Sequence, residues 1–165
     1  MTEQTISQPF KRDIIFDSAA LAFIGLAPAF AHFASLPIYM IEPMRLMLVL
    51  ALIHTNRMNA WILAAILPLF SFLVSGHPEP LKMLVITAEL LANTGLFLVL
   101  MRWGKYPFLA MFLAVGLSKV FCYSLYMLLF PWSFVVAEAQ TGFLMIQGAV
   151  TILLASYTAF IFMKR

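Results

Sequence analysis

The chain of 165 residues is 64% hydrophobic and 10% charged, with a formal net charge of +3 and a mean hydropathy of +0.99. Soluble domains are about 45–50% apolar and about 25% charged, so the composition excludes that class and indicates an integral membrane protein. The small net charge gives no reason to expect nucleic acid as a partner, and the single cysteine excludes an internal disulfide and a cysteine-rich metal site.

Six apolar segments follow an N-terminal tail over residues 1–13, which we expect to be cytoplasmic. Its first nine residues are polar, and we expect them to be loosely ordered. The segments are 14–33, 44–53, 60–75, 81–101, 108–130 and 139–163. A bilayer needs about 20 apolar residues per helix, so 44–53 is the shortest candidate for a full span. The sequence therefore predicts an all-α integral membrane protein, a six-transmembrane-helix bundle over residues 14–165.

Basic residues are unevenly divided between the two sides of such a bundle. With six spans both termini share one side, and seven of the ten basic residues fall there. These are Lys11, Arg12, Arg57, Arg102, Lys105, Lys164 and Arg165. On the other side only Arg45 and Lys82 lie near loops, and Lys119 lies inside the fifth segment. The positive-inside rule then predicts a multi-pass protein with both termini cytoplasmic and the turn at 76–78 outside.

Polar side chains recur inside the apolar segments at helical spacing. In the fourth segment, spacings of seven and four residues place Lys82, Glu89 and Asn93 on one helical face. In the fifth segment Lys119 is followed at i+4 and i+7 by Tyr123 and Tyr126, and in the sixth Gln147 is followed at i+4 by Thr151. A charged residue inside a membrane span is a candidate functional residue by default.

Two interpretations of these residues remain open. Glu89 and Lys119 could form a buried ion pair that only fixes helix packing, or the whole set could surround a ligand pocket in the outer half of the bundle. In a pocket, Arg45 and Lys82 near the mouth would suit a carboxylate or phosphate, whereas Asn93 and the two tyrosines would suit a planar ring. We then expect a small heterocyclic or aromatic ligand that is neutral or singly negative. No metal site, cofactor or nucleophile–base pair is apparent, so no enzyme is expected.

Short motifs occur in order between residues 37 and 100. They are Pro43-Met44 at the start of a helix, Pro68-Leu69 with Ser71, Gly76-x-Pro78, and Glu89-Leu90 with Gly95. This series resembles the substrate-binding S components of energy-coupling factor (ECF) transporters. Arg45 stands where a similar subgroup often has His, and His77 stands where it has Met. Both join the candidate substrate-binding residues, and the resemblance leaves the substrate unidentified.

The resemblance implies a six-helix protein in a prokaryotic plasma membrane that captures a vitamin or related micronutrient from outside. Such proteins have no ATPase of their own and dock on a scaffold, the T component, that carries two cytoplasmic ATPases. Their first helix often contacts the scaffold through small residues spaced by four. Ala27 and Ala31 match that spacing here, and Ser18 and Ala22 are a second possibility.

A structural role is the alternative. Rod-shape-determining subunits of the MreD type are similar in size and helix number, and they act as partners within a wall-synthesis complex. An accessory subunit of another membrane complex is of the same class. Such a protein would not need Glu89, Lys119 and Gln147 around an accessible cavity.

Overall fold

Six helices are present in the computed structural model, which describes residues 4–34, 41–76, 78–104, 106–129 and 141–164. Their side chains are described from residue 11 onward, except at 31, 32, 34, 126, 127, 129 and 141–144. The helices are α1 (Gln4–Ala34), α2 (Pro43–His54), α3 (Arg57–Ser75), α4 (Pro80–Trp103), α5 (Pro107–Leu129) and α6 (Thr141–Met163). The all-helical prediction is confirmed.

The N-terminal tail differs from the prediction. We expected loose order over residues 1–9, but α1 begins at Gln4 and continues without a break into the apolar segment. Gln, Lys and Arg in this extension are good helix formers, whereas Pro9 within it removes one backbone hydrogen bond.

Local chemistry accounts for several helix boundaries. The side chain of Asn56 accepts a hydrogen bond from the backbone N–H of Asn59 at 2.7 Å and so caps the start of α3. Gly76 ends α3 with φ 68°, a left-handed conformation that glycine adopts without a Cβ penalty. Proline opens α2 and α4 at Pro43 and Pro80, where the missing N–H would have no helical partner in any case.

Helix length separates α2 from the other five. Those five contain apolar stretches of 19 to 24 residues, long enough to cross a membrane. The 12 residues of α2 rise by about 18 Å, well short of the roughly 30 Å hydrocarbon core. The structure therefore shows six helices, of which five are long enough to span a membrane and α2 is not by itself.

Although α2 is short, α3 begins at the same end of the bundle as α1. Asn59 at the start of α3 donates a hydrogen bond to Asp17 Oδ1 in the first half of α1, with Nδ2 and Oδ1 separated by 2.7 Å. At the same end His54 Nε2, at the close of α2, lies 2.8 Å from Tyr157 Oη in the last third of α6. We name this the Asn56 end and the opposite one the Gly76 end. The odd-numbered helices start at the Asn56 end, and the even-numbered helices finish there.

The short helix α2 lies at the centre of the bundle. It packs against α1, α3, α4 and α6. One side of α2, including Leu48 and Ala51, joins the apolar cluster built with α1, α3 and α4, and the other, including Val49 and Ile53, joins the cluster built with α4, α5 and α6. Because other helices pack around α2, Glu42 at its N-cap can leave helical geometry at membrane depth without facing lipid.

Small residues of α1 serve contacts within the chain. Ala20 and Ala27 are buried, and a Cβ on Gly25 would lie 3.4 Å from the ring of Phe70 in α3. The side chain of Ala27 packs inside the bundle, and its contact with a scaffold stays a prediction. The side chain of Ala31 lies outside the described part of the chain, whereas Ser18 and Ala22 are exposed.

Candidate functional site

The start of α2 lies about halfway across the bundle. Arg45, in the first turn of α2, contacts Glu89, which is the tenth of the 24 residues of α4. Glu42, the N-cap of α2, contacts Lys119, the thirteenth of the 23 residues of α5. Both partners are near the middle of long helices. The first turn of α2 is therefore held well away from both ends of the bundle.

Four charged side chains form one connected network at this place. Arg45 donates through Nη1 to Glu42 and through Nη2 to Glu89. Lys119 Nζ donates to the other carboxylate oxygen of Glu42. We call Glu42, Arg45, Glu89 and Lys119 the charge network. It joins α2, α4 and α5 through ion pairs.

The charge network contains two carboxylates and two cations, so its formal charges cancel. The side chain of Arg45 is 4% exposed and that of Glu89 is 11% exposed, whereas those of Glu42 and Lys119 are 16% and 18% exposed. Removing ions from water is costly unless each is paired with good geometry. The mutual pairing accounts for four charges lying inside an apolar bundle, and it leaves no charge in excess for a ligand.

Glu42 holds an unusual backbone conformation. Its φ of 51° and ψ of 64° lie in the left-handed region, and it is the one non-glycine residue with positive φ in the described ranges. Its side chain makes no capping bond to α2 and instead contacts Arg45 and Lys119. A non-glycine residue in this region costs about 1–3 kcal/mol, and residues with such backbone strain cluster at functional sites.

Two buried amides lie unsatisfied near the charge network. Asn93 is fully buried and Gln147 is 6% exposed, and neither Asn93 Nδ2, Asn93 Oδ1 nor Gln147 Oε1 has a hydrogen-bond partner among the described residues. Neighbouring hydroxyls behave differently, because Thr94 Oγ1 donates to the Leu90 carbonyl at 2.9 Å and Thr151 Oγ1 to the Gln147 carbonyl at 2.8 Å. Buried polar groups are almost always hydrogen-bonded, so the amides need an explanation.

Helix register places both amides beside the charge network. Asn93 follows Glu89 by four residues and so shares its face of α4. The contact between His54 and Tyr157 aligns the parallel helices α2 and α6. Ten residues back along each helix, about 15 Å, Gln147 lies level with Met44, next to Arg45. Amides from α4 and α6 therefore occur in the same layer as the start of α2.

The pairing of the charged residues differs from the pair considered in the sequence analysis. One of the two open interpretations joined Glu89 to Lys119, but in the structure Glu89 binds Arg45 and Lys119 binds Glu42. Arg45 was expected near the mouth, yet it is buried at the depth of Glu89. The reason is that α2 begins inside the bundle instead of at its surface.

The remaining predicted residues are placed less fully. Tyr123 is half-buried in α5, one turn beyond Lys119, and Lys82 is half-buried near the Gly76 end of α4. His77 and the side chain of Tyr126 lie outside the described residues. The structure thus brings Arg45, Glu89 and Lys119 together through Glu42. Asn93 lies one turn along α4 from Glu89, Gln147 lies near the level of Met44 on α6, and a cavity between these residues stays a prediction.

Two residues of this layer escaped the sequence analysis. Glu42 was assigned to a surface connection, although a carboxylate three residues before Arg45 could have suggested a local ion pair. Cys122 is buried, packs against Val85, and lies within the electrostatic reach of Glu89. Nothing in its sequence context distinguishes it from an apolar residue. Within the described ranges no three His, Cys, Asp or Glu side chains come together as metal ligands.

Comparisons of this chain with protein-family models, with curated proteins and with solved structures return no match. The function is therefore argued from the residues and their geometry.

Proposed function

We propose that this chain is the substrate-binding membrane subunit of an ECF-type importer and captures a small heterocyclic ligand from the outer side. The observation that supports this most is the pair of unsatisfied buried amides, Asn93 and Gln147, beside an electrically neutral charge network. Leaving a buried donor or acceptor unpaired costs about 1–3 kcal/mol per group. A bound ligand would supply the missing hydrogen bonds.

The position of the layer supports uptake as well. Helices that begin near the middle of a bilayer border the binding sites of many transporters, because their first N–H groups and nearby side chains can face a ligand. Here α2 begins at that depth, next to Glu89 and Lys119. The proposed ligand would lie against the first turn of α2.

Energy for transport would come from partners. In this proposal the chain docks on a T-component scaffold that carries two cytoplasmic ATPases. Since Ala27 is buried, the contact on α1 would use the exposed Ser18 and Ala22, which share a helical face at i and i+4.

A structural role in a membrane complex, as in MreD-type subunits, is the second candidate. The observation that favours it is the complete pairing of Glu42, Arg45, Glu89 and Lys119 with one another. A network that satisfies its own charges can hold α2, α4 and α5 together without any ligand. It does not explain the two unsatisfied amides.

Mass spectrometry of small molecules released from gently purified protein separates the two candidates. The proposed function predicts one small organic molecule, released in up to one copy per chain when the protein is denatured. A structural subunit would release only lipid and detergent and would instead co-purify with a stoichiometric protein partner. Release of lipid and detergent alone would contradict the proposed uptake function.

We further propose that the Asn56 end faces the cytoplasm of a prokaryotic cell, as the basic asymmetry suggests. The test introduces single cysteines at Glu79 and Arg102, which are both exposed at opposite ends of α4. The background is a Cys122→Ala variant without native thiols. An impermeant maleimide added to intact cells should label position 79 and spare position 102, and both should react after lysis. The reverse pattern would contradict this orientation.

A further inference from the structure

The five long helices leave one open side next to α2. They pack against one another in the order α1, α3, α4, α5 and α6, whereas α1 and α6 share no contact among the described residues. The short helix α2 contacts both α1 and α6. Over the length of α2, the opening between α1 and α6 is therefore backed by α2 alone.

The side of α2 that faces this opening follows from its helical register. Arg45 contacts Glu89 of α4, so the opposite side of α2 lies about 180° away from Arg45. At about 100° per residue, that side carries Pro43, Leu50 and His54. All three are half-buried, while most residues between them are buried. We call the space bordered by α1, α6 and these three residues the α1/α6 groove.

The length of the α1/α6 groove matches one leaflet of a bilayer. The 12 residues of α2 rise by about 18 Å, close to half of the roughly 30 Å hydrocarbon core. A transmembrane helix of a partner would need a continuous face of about 30 Å. An acyl chain of a phospholipid occupies one leaflet only, so the length of the groove fits a lipid better than a partner helix.

The Asn56 end of the groove is polar and carries a positive charge. His54 Nε2 lies 2.8 Å from Tyr157 Oη, and Lys164 follows Tyr157 by seven residues, on the same face of α6. The ammonium group of Lys164 is exposed and lies 4.3 Å from the centre of the Phe160 ring, which holds it next to an apolar surface. At this level Lys164 can donate hydrogen bonds to a phosphate.

The balance of charge at this end favours an anionic headgroup. The acidic side chains described here, Asp13 and Asp17, already accept hydrogen bonds from Asn56 and Asn59. Exposed basic residues outnumber them at the same end: Lys11, Arg12, Arg57, Arg102 and Lys164. Such an excess attracts anionic lipids more strongly than zwitterionic ones.

We propose that the α1/α6 groove binds one anionic phospholipid from the leaflet at the Asn56 end. One acyl chain lies along Leu50 and Pro43, and the phosphate accepts hydrogen bonds from Lys164. The lipid fills the opening and holds α2 between α1 and α6. The site lies on the opposite side of α2 from Glu89, so it is separate from the proposed ligand site and does not depend on which end faces the cytoplasm.

The test measures the affinity of the first bound lipid by native mass spectrometry of the purified protein. The probes are dioleoyl phosphatidylglycerol and dioleoyl phosphatidylcholine, which share their acyl chains and differ in headgroup charge. The first phosphatidylglycerol should bind about fivefold more tightly than the first phosphatidylcholine, the effect of one basic residue near an anionic headgroup. Equal affinities would overturn the proposal.

A pair of charge variants tests the headgroup contact. Lys164→Gln should weaken binding of phosphatidylglycerol about fivefold. Arg102→Gln, which removes an exposed charge at the same end from α4 across the bundle, should leave the affinity unchanged. Equal affinities in the two variants would overturn the proposal.

A pair of tryptophan variants tests the groove itself. Leu50→Trp fills the α1/α6 groove and should weaken the first lipid about tenfold. Ile62→Trp is the control, because Ile62 is exposed on α3 at a similar depth from the Asn56 end. Equal lipid binding in the two folded variants would overturn the proposal, and if Leu50→Trp does not fold, the comparison of Lys164→Gln with Arg102→Gln decides.

Other occupants of the groove would give a different mass spectrum of the wild-type protein. A protein partner would appear as a stoichiometric complex, and a second copy of this chain would appear as a dimer. Exclusion of the first phosphatidylglycerol from either complex would overturn the proposal.

Discussion

Replacing Arg45 by methionine is expected to destabilise the folded protein by about 3–5 kcal/mol, the cost of leaving a buried charge without its partner. Arg45 binds both Glu42 and Glu89, so its loss removes the ion pair that Glu89 makes in the structure and halves the contacts of Glu42. Methionine keeps most of the side-chain length, which limits the effect of a cavity. The free energy of unfolding can be followed by titrating the purified protein with SDS.

Two further variants test whether the loss of stability in Arg45→Met comes from the broken ion pairs. Arg57→Met removes an exposed arginine at the Asn56 end and should change stability little. Adding Glu89→Gln to Arg45→Met should recover part of the loss, because the second change removes the uncompensated carboxylate. If Arg45→Met were as stable as Arg57→Met, the charge network would not hold the bundle together.

Glu42 is the second residue whose loss should be severe. Both Glu42→Ala and Glu42→Gly would leave Lys119 without its carboxylate, so each is expected to cost about 3–5 kcal/mol. The glycine variant should nevertheless be the more stable by about 1–2 kcal/mol, because only glycine adopts a φ of 51° without a Cβ penalty. SDS titration of both variants measures the difference directly.

Glu79 offers a matched control for the Glu42 variants. It is also an N-cap followed by a proline and makes no side-chain capping bond, but its φ is −52°. Glu79→Gly should therefore show no advantage over Glu79→Ala. A glycine advantage of equal size at both positions, or none at Glu42, would contradict backbone strain at the start of α2.

The lengths of the apolar runs, with the prolines and glycines between them, allowed much of the helical pattern to be predicted. The fourth segment, predicted at 81–101, is Pro80–Trp103 in the structure, because Pro80 can only begin a helix and Gly104 follows its end. The depth of α2 could not be predicted. A stretch rich in proline with one carboxylate resembles a surface connection, and only the surrounding helices reveal that Glu42 lies inside the bundle.

The sequence pointed to Arg45, Glu89 and Lys119, but it did not predict the part of Glu42 or the pairing of the charges. Apolar runs around Glu89, Lys119 and Gln147 showed that these residues lie inside the membrane. Which carboxylate meets which cation depends on how far each helix is shifted along its neighbour, and helical periodicity contains no such information. Small residues at i and i+4, such as Ala27 and Ala31, have the same ambiguity, because close packing within a chain and between chains needs the same residues.

The most direct test of the ligand site is the stability of the empty protein after the unsatisfied amides are removed. Asn93→Leu and Gln147→Met replace buried polar groups that lack partners, so each should raise the free energy of unfolding by about 1–3 kcal/mol. Thr94→Val and Thr151→Val, which delete hydroxyls already bonded within a helix, should give no such gain. If the amide variants were instead less stable than these controls, Asn93 and Gln147 would be packing residues and the ligand site would be contradicted.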